Sequence, residues 1–263
     1  MSASPSALLR SEVISRLRAA GCVFAEAEAD LIVSAARTPS ELDALVARRV
    51  RGIPLEHILG WAEFCGLSVA IDPGVFVPRR RTEFLVRQTL ARCRPGDIVV
   101  DLCCGSGAVG AAFVAAAPGI ELYATDLDPA AVRCARRNLA GGRGRVFEGD
   151  LVEPLPPALR ARVNVLVANA PYVPTEEIER MPPEARLHEA RLALDGGGDG
   201  LDVQRRVAAA APVWLAPGGY LLVETSRRQA PASADIFARN GLTPTVTTSH
   251  EFDATVVIGT VNV

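Results

Sequence analysis

Three aspartates that could bind a small molecule lie in, or at the ends of, successive apolar segments. Asp101 lies within DIVVDLCC, Asp126 ends IELYATD, and Asp150 ends GRVFEGD. A buried carboxylate destabilises a fold unless it is paired, so packing does not account for an acid in each segment. A carboxylate at the end of the second segment can accept hydrogen bonds from both hydroxyls of a ribose. The pattern indicates a crevice that binds a nucleoside, with Asp150 at its adenine end.

A glycine loop follows the first of these segments. Gly105, Gly107 and Gly110 satisfy the spacing G-x-G-x-x-G, which is typical of dinucleotide binding but also of a tight turn. Asp101, four residues before Gly105, would repel a phosphate. A carboxylate there suits a ligand that carries an amino group and a positively charged sulfur. S-adenosylmethionine therefore fits the loop, and NAD fits poorly.

A further set of residues with chemical potential ends the stretch NVLVANAPY. Asn169, Pro171 and Tyr172 come directly after an apolar segment. Asn and Pro are ordinary turn residues, and an Asn-X-Pro step commonly ends a strand. Taken alone, the stretch favours a turn. The alternative is a functional site, and the rest of the sequence must distinguish the two interpretations.

The elements that position these residues alternate between strands and helices. Continuous apolar segments, typical of strands buried on both faces, cover 97–104, 120–126, 144–150, 163–169 and 218–225. Two β segments near the end, within 242–261, predict a hairpin. We therefore expect an α/β fold with a doubly wound, mostly parallel, seven-stranded Rossmann-like sheet and a C-terminal antiparallel hairpin.

The first part of the chain has a different pattern. Apolar residues recur at helical spacing over residues 5–52, and EFCGLSVAIDPGVFVP predicts a hairpin around Gly66. We expect a small N-terminal helical domain with a hairpin linker over 1–74, and a larger α/β domain over 75–263.

Composition restricts the class of protein. The 263 residues carry a net charge of −2 and are 49% hydrophobic, which predicts a sizeable core. The charge argues against non-specific binding to nucleic acid, although Arg79–Arg81 form a local basic run. No apolar segment is long enough to span a membrane, and the first residues do not resemble a signal peptide. The six cysteines and three histidines show no metal-ligand spacing, so we expect no metal and a cytoplasmic protein with reduced thiols.

Taken in order, the motifs resemble those of a known family. DLCCGSGAVG, TDLDPAAVRCARRN, GDL and NAPY are similar to the motifs of class I S-adenosylmethionine-dependent methyltransferases. More narrowly, the chain resembles the protein N5-glutamine methyltransferases that modify peptide-chain release factors, in which Asn-Pro-Pro-Tyr follows the fourth strand. PLEHILGWAEFCGLSV, VFVPRRRTEFLV and HEARLALDGGGDGLD are similar to the flanking segments of that family, so the resemblance covers nearly the whole chain.

The resemblance implies methyl transfer from S-adenosylmethionine, which leaves S-adenosylhomocysteine, to the side-chain amide of a glutamine in a protein. The Asn169 oxygen would accept one N–H of that amide and the Ala170 carbonyl the other, while Pro171 stiffens the loop and Tyr172 lies against the planar amide. No histidine or glutamate base is evident near this stretch. The residues implied to bind the cofactor are Asp101, Cys103, Gly105, Gly107, Asp126, Leu127, Asp150, Leu151 and Asn169.

The resemblance also implies a partner. Residues 1–74 would dock a protein substrate, expected to be a release factor, and residues 75–263 would form the methyltransferase domain. We expect a monomer that binds neither a membrane nor, stably, nucleic acid. Arg79 is expected to order the lid over the cofactor or to pair with a carboxylate. The sequence predicts a loop that contains His188 and Glu189. A solvent-exposed surface position is at least as good an interpretation of these two side chains as a role in a functional site.

The chain departs from the family pattern at several positions. Ala170 stands where the family has its first proline, Arg80 and Arg81 replace a proline and an acid, and Ala190 replaces a proline after Glu189. The C-terminal hairpin also lacks the expected arginine. These departures leave open another acceptor, either an exocyclic amine of nucleic acid such as adenine N6 or a small metabolite. A binding module without catalysis is a further alternative, which the intact asparagine and tyrosine of NAPY disfavour.

Overall fold

The computed structural model describes residues 5–141 and 144–262, and its first part is helical. The helices are α1 (Pro5–Ala19), α2 (Ala25–Ala35) and α3 (Pro39–Val50). Their apolar faces meet in a buried cluster that includes Leu17, Ile32 and Val46. Thr38 caps α3, because its hydroxyl accepts a hydrogen bond from the backbone N–H of Glu41 at 3.2 Å. The helices predicted from the apolar spacing over 5–52 are confirmed.

A hairpin connects the helical part to the rest of the chain. A short helix, α4 (Leu55–Leu59), precedes β1 (Trp61–Phe64) and β2 (Leu67–Ala70), which pair in antiparallel fashion as predicted. Cys65 and Gly66 form the turn, with φ of 50° and 73°. Phe64 is buried in the same apolar cluster as one face of the main sheet. The division of the chain into two domains at residue 74 stays a prediction.

The main sheet has seven strands in the order β5-β4-β3-β6-β7-β9-β8, and β9 is antiparallel to both of its neighbours. The mostly parallel, Rossmann-like sheet with a C-terminal hairpin is thus confirmed. Its strands are β3 (Ile98–Leu102), β4 (Glu121–Asp126), β5 (Gly144–Glu148), β6 (Val163–Ala168), β7 (Leu215–Thr225), β8 (Leu242–Ser249) and β9 (Ala254–Val261).

Helices cover both faces of this sheet. Val99 packs in the cluster that contains Phe84 and Phe113, whereas the next residue, Val100, packs in the cluster that contains Val207 and Phe237. Successive residues of a strand point to opposite faces, so β3 is buried on both sides. The helices of this part are α5 (Thr82–Leu90), α6 (Ala108–Ala116), α7 (Pro129–Asn138), α8 (Pro183–His188), α9 (Asp202–Trp214) and α10 (Ala230–Arg239).

The strand order places a crevice beside β3. The chain proceeds outward from β3 to β4 and β5, and then returns to β6 on the other side of β3. Ligands of open α/β sheets bind beyond the carboxyl ends of the strands at such a reversal. Asp101 lies near the end of β3 and Asp126 ends β4, whereas Asp150 and the NAPY stretch follow β5 and β6 at the same edge.

Candidate active site

A cavity of about 500 Å³ opens at the carboxyl edge of the sheet, a size that suits a cofactor with part of a second molecule. Asp101 and Gly107 are not among the residues that line it. The predicted site residues that do line it are Cys103, Gly105, Asp126, Leu127, Asp150, Leu151, Asn169, Ala170, Pro171 and Tyr172. The structure therefore brings most of the predicted cofactor residues together with all of NAPY.

The loop between β3 and α6 approaches the cavity with its backbone. Cys103, Gly105 and Gly107 have φ of 56°, 55° and 77°, in the left-handed region that glycine adopts readily and other residues rarely. A Cβ on Gly107 would lie 3.0 Å from Ala135, so this glycine also lets α6 and α7 pack closely. Cys103 holds a left-handed conformation without being glycine, a strain that recurs at functional sites.

Asp126 accepts one hydrogen bond from the glycine loop and one from the turn that follows it in sequence. Its Oδ2 accepts the N–H of Gly105 at 2.8 Å, and its Oδ1 accepts the N–H of Asp128 at 2.9 Å. Burial raises the pKa of Asp126, and these backbone hydrogen bonds oppose the rise. Each oxygen keeps a further lone pair, so the carboxylate can also accept the hydroxyls of a ribose. Leu127, the next residue, is 48% exposed and offers an apolar surface.

Asp101 is buried, and its Oδ2 has no hydrogen-bond partner among the described residues. Burial, and then the charge of Asp126, raises the pKa of Asp101 to about 8, against a hydrogen bond from the backbone of Gly110. Burial therefore favours the protonated form of this carboxyl. Asp101 does not itself line the cavity, but the loop that follows it does, and an oxygen without a partner there fits a ligand that brings an ammonium group.

Asp150 has a partner that the sequence did not indicate. Arg206 of α9 donates to its Oδ2 at 2.6 Å. One carboxylate oxygen stays available to a bound base, while Arg206 holds the side chain in place. Leu151 follows with φ of 48° and, like Cys103, adopts the left-handed conformation without being glycine. Arg206 lies on an ordinary amphipathic helix far along the chain, so no local pattern could have assigned it to the site.

The NAPY loop is fastened by the glycine-rich segment that follows it. The N–H of Gly196 donates to the carbonyl of Val173 at 2.9 Å, and Gln229 donates from Nε2 to the carbonyl of Tyr172 at 2.9 Å. A Cβ on Gly200 would lie 2.3 Å from that same carbonyl oxygen. The run GGGDG thus allows two backbones to approach more closely than side chains would permit.

The half-buried side chains of Asn169 and Tyr172 hydrogen-bond to two buried polar residues. Asn169 donates from Nδ2 to the hydroxyl of Thr82 at 3.3 Å, and the Tyr172 hydroxyl donates to Oε1 of Glu224 at 3.3 Å. Burial, and then the charge of Glu224, raises the pKa of Tyr172 to about 12, so the phenol stays neutral. A glutamate that the sequence did not indicate lies near this stretch, because β7 ends beside β6 and brings Glu224 to the cavity.

Arg79 pairs with a carboxylate, as one of its two predicted roles required. Its Nη2 donates to both oxygens of Glu189, at 2.6 and 2.7 Å, and the N–H of Val77 donates to the same carboxylate at 3.1 Å. The Glu189 side chain is 0% exposed, so the solvent-exposed interpretation of this residue is wrong. The pair joins the linker before α5 to the segment after α8.

Comparison with known proteins places the chain in a class. Residues 66–213, more than half of the chain, match the family model of the methyltransferase small domain. A methyltransferase from Pyrococcus furiosus has a similar fold, with a TM-score of 0.59 at 16% identity over 82% of this chain and 98% of that one. At that identity the likeness concerns the fold alone.

Two curated relatives are more similar to this chain in sequence. The release factor glutamine methyltransferase of Geobacter sulfurreducens is 42% identical over 208 residues, which are 77% of this chain and 72% of that protein. The 4-amino-L-phenylalanine/4-methylamino-L-phenylalanine methyltransferase of Streptomyces pristinaespiralis is 33% identical over 88% of this chain and 86% of that protein.

The chain therefore belongs to the methyltransferase small domain family, and it is a methyltransferase. Within that class it belongs to the family of the release factor glutamine methyltransferases. Within residues 5–141 and 144–262, no helix combines the length and the apolar character that crossing a membrane requires.

Proposed function

We propose that this protein transfers the methyl group of S-adenosylmethionine to the side-chain amide nitrogen, N5, of a glutamine in a peptide-chain release factor. The observation that carries the proposal is the position of Asn169 to Tyr172 at the carboxyl end of β6, in the same cavity as Asp126 and Asp150. Six relatives that are 36–42% identical are named as release factor glutamine methyltransferases, which supports the proposal.

The acids at the strand ends fit the proposed cofactor. S-adenosylmethionine supplies a methyl group on a positively charged sulfur, together with an ammonium, a ribose and an adenine. Asp126 would accept the ribose hydroxyls with its remaining lone pairs, and Asp150 the amino group of the base. Asp101, with an oxygen that lacks a partner, would accept the ammonium. Leu127 and Leu151 would contact the apolar face of the base.

The residues of the NAPY loop would position the acceptor. An amide nitrogen is a poor nucleophile, because its lone pair is delocalised into the carbonyl. Asn169 and the Ala170 carbonyl would each accept one N–H, which aligns the nitrogen and stabilises it as its lone pair bonds the methyl carbon. Alignment of this kind contributes up to ~7–11 kcal/mol to catalysis. As the bond from nitrogen to the methyl carbon forms, the bond from sulfur to that carbon breaks and leaves S-adenosylhomocysteine, and one N–H proton then passes to water.

A small amine is the second candidate acceptor, and two observations favour it. The relative that acts on 4-amino-L-phenylalanine matches 88% of this chain. Arg81 lines the cavity where the family pattern has an acid, and it makes no ion pair with a described residue. A cation there could bind the carboxylate of an amino acid. The same acceptor oxygens would hold an aromatic amine, since it too presents a planar NH₂ group.

The experiment that separates these acceptors adds the purified enzyme and labelled S-adenosylmethionine to a cell lysate and to 4-amino-L-phenylalanine in parallel. The proposal expects label in one protein, which mass spectrometry identifies as a release factor. Label that enters only 4-amino-L-phenylalanine or the small-molecule fraction would contradict the proposal and support the second candidate. Label in nucleic acid alone would contradict both.

A further inference from the structure

Helix α7 ends in an asparagine that the proposed reaction does not yet use. Asn138 is the last residue of the motif TDLDPAAVRCARRN, and it is not among the residues that line the cavity. Its side chain is half-buried between the loop that joins β3 to α6 and the hairpin of β1 and β2. A side chain that bonds two such elements makes the position of one depend on the position of the other.

Three hydrogen bonds fix the direction of the Asn138 amide. Its Nδ2 donates to the carbonyl of Ser106 at 2.8 Å and to the carbonyl of Ala70 at 2.9 Å, and its Oδ1 accepts the N–H of Ala70 at 2.9 Å. A backbone carbonyl only accepts and a backbone N–H only donates, so an amide turned the other way would lose all three bonds. Asn138 therefore pairs with Ala70 as a strand would, and it gives its remaining hydrogen to Ser106.

Ser106 lies in the loop whose backbone approaches the cavity. It is buried, lines the cavity, and stands between two glycines of left-handed φ. On the side of β4 the loop is held by the N–H of Cys104, which donates to the carbonyl of Thr125 at 3.0 Å, and by the bond from Gly105 to Asp126. A strained backbone persists only where its surroundings hold it in place. The bond to the Ser106 carbonyl holds the same loop from the side of α7.

Packing places α7 against this loop as well. Ala135, three residues before Asn138 and thus on the same face of the helix, lies 3.0 Å from the position of a Cβ on Gly107. Arg137, the residue before Asn138, instead pairs with Asp72 after β2 at 2.7 Å, and it has no hydrogen bond to the loop among the described residues. Two adjacent side chains of α7 therefore bond the segment at the end of the hairpin, and the second also bonds the loop.

We propose that Asn138 is a positioning residue for S-adenosylmethionine, which holds the loop after β3 in its binding conformation and ties it to the hairpin of β1 and β2. The inference rests on the proposed function only in the identity of the cofactor, and it does not depend on the acceptor. The coupling is reciprocal. Loss of the Asn138 bonds weakens the binding of the cofactor, and a cofactor that fixes the loop stabilises the pairing of Asn138 with Ala70.

The test measures the binding of S-adenosylmethionine by calorimetry, which needs no acceptor. Asn138→Ala should raise Kd about fivefold or more, as for the loss of one hydrogen bond that shapes the binding loop. Asn138→Asp keeps the size and an acceptor for the N–H of Ala70, but when ionised it has no donor for Ser106, so it should raise Kd to a similar extent. Arg137→Gln is the control, because it breaks a contact between the same helix and the same segment, and its Kd should stay within twofold of the parent value.

Chemical denaturation of the same variants distinguishes positioning from stabilisation of the fold alone. A residue that only stabilises the fold would lower the free energy of unfolding when it is replaced and would leave Kd unchanged. A Kd within twofold of the parent for Asn138→Ala or Asn138→Asp would therefore overturn the proposal. An equal rise of Kd for Arg137→Gln would also overturn it.

Hydrogen exchange in the unaltered protein tests the same coupling if the variants do not fold. Binding of S-adenosylmethionine should slow exchange of the N–H of Ala70, although Ala70 is not among the residues that line the cavity. The N–H of Ala36, which is hydrogen-bonded at the end of α2, is the control. An unchanged rate at Ala70, or an equal change at both amides, would overturn the proposal. A parent protein that does not bind S-adenosylmethionine would contradict the proposed function, and with it this inference.

Discussion

Asp101 is the side chain whose protonation we expect to respond to binding of S-adenosylmethionine. Burial, and then the charge of Asp126, raises its pKa to about 8 from an ordinary value of 3.8. An ammonium group beside it would favour the ionised form and lower that pKa. Binding of S-adenosylmethionine is therefore expected to release up to one proton below pH 8, and the affinity should rise with pH in that window. Calorimetry in buffers of different ionisation enthalpy counts the protons.

Asp101→Asn provides the comparison, since asparagine keeps the shape but does not ionise. Proton release should be lost in this variant and kept in Asp235→Asn, which changes an exposed acid on α10. Without ligand, the folded state binds one more proton than the unfolded state between pH 3.8 and about 8, so parent stability should fall as pH rises through that range. If Asp101→Asn and the parent release the same number of protons on binding, Asp101 does not contact the ammonium group.

Asn169 is the side chain expected to act on the reacting nitrogen. Asn169→Ala removes one acceptor oxygen that aligns the amide, so kcat should fall by about 100-fold or more. The affinity for S-adenosylmethionine should stay close to that of the parent, because the ribose and ammonium contacts are unchanged. Steady-state kinetics and calorimetry measure the two effects. Asn262→Ala, which changes an exposed asparagine, is the control. If kcat of Asn169→Ala falls only a few-fold, Asn169 does not act on the reacting nitrogen.

Among the connecting elements, the glycine-rich segment determines how rigid the NAPY loop is. Gly200 has φ of 79°, and a Cβ there would meet the Tyr172 carbonyl oxygen at 2.3 Å and Gln229 at 2.5 Å. Gly198, two residues earlier, has open space around its Cβ position and no left-handed φ. The two glycines therefore provide a matched pair of substitutions within one loop.

Gly200→Ala should displace the loop that carries Asn169 and lower kcat about tenfold or more, because small displacements of aligned groups reduce rates strongly. It should also destabilise the fold by roughly 1–3 kcal/mol, the range for a strained backbone conformation. Gly198→Ala should leave both quantities near the parent values. Chemical denaturation and kinetics check this prediction, and similar rates for the two variants would contradict it.

Strands and the glycine loop could be predicted because their signals are local. The three aspartates could be predicted because each lies within an apolar segment or at its end. The reversal of strand order then brings Asp101, Asp126 and Asp150 to one edge of the sheet. Thr82 and Glu224 could not be predicted, since they reach NAPY from elements that lie far from it in sequence. α10 was missed because its first turns contain Pro231 and several small or polar residues, which weaken the helical pattern.

Across the whole molecule, Arg49 joins the N-terminal helices to the wall of the cavity. The buried guanidinium binds Glu28 of α2 at 2.5 and 3.0 Å and Glu184 of α8 at 2.7 Å. Pro182 and Ala185, next to that contact, line the cavity. A protein that inserts a side chain into the cavity would therefore lie beside the N-terminal helices.

Removal of residues 1–52 should raise KM for a release factor much more than for a short glutamine peptide, because only the protein can use contacts remote from the cavity. The peptide serves as the internal control, since its kcat should change little if the remaining chain stays folded. Steady-state kinetics on both substrates provide the measurement. An equal rise in KM for the two would contradict a docking function of these helices.

The central claim concerns the atom that receives the methyl group. The most direct measurement incubates a purified release factor with the enzyme and S-adenosylmethionine and locates the added methyl group by tandem mass spectrometry, with Asn169→Ala as the control enzyme. The account predicts one added methyl on the side-chain nitrogen of a single glutamine, formed by the parent and nearly absent with the variant. A release factor that stays unmethylated, or a methyl group on another residue type, would contradict it.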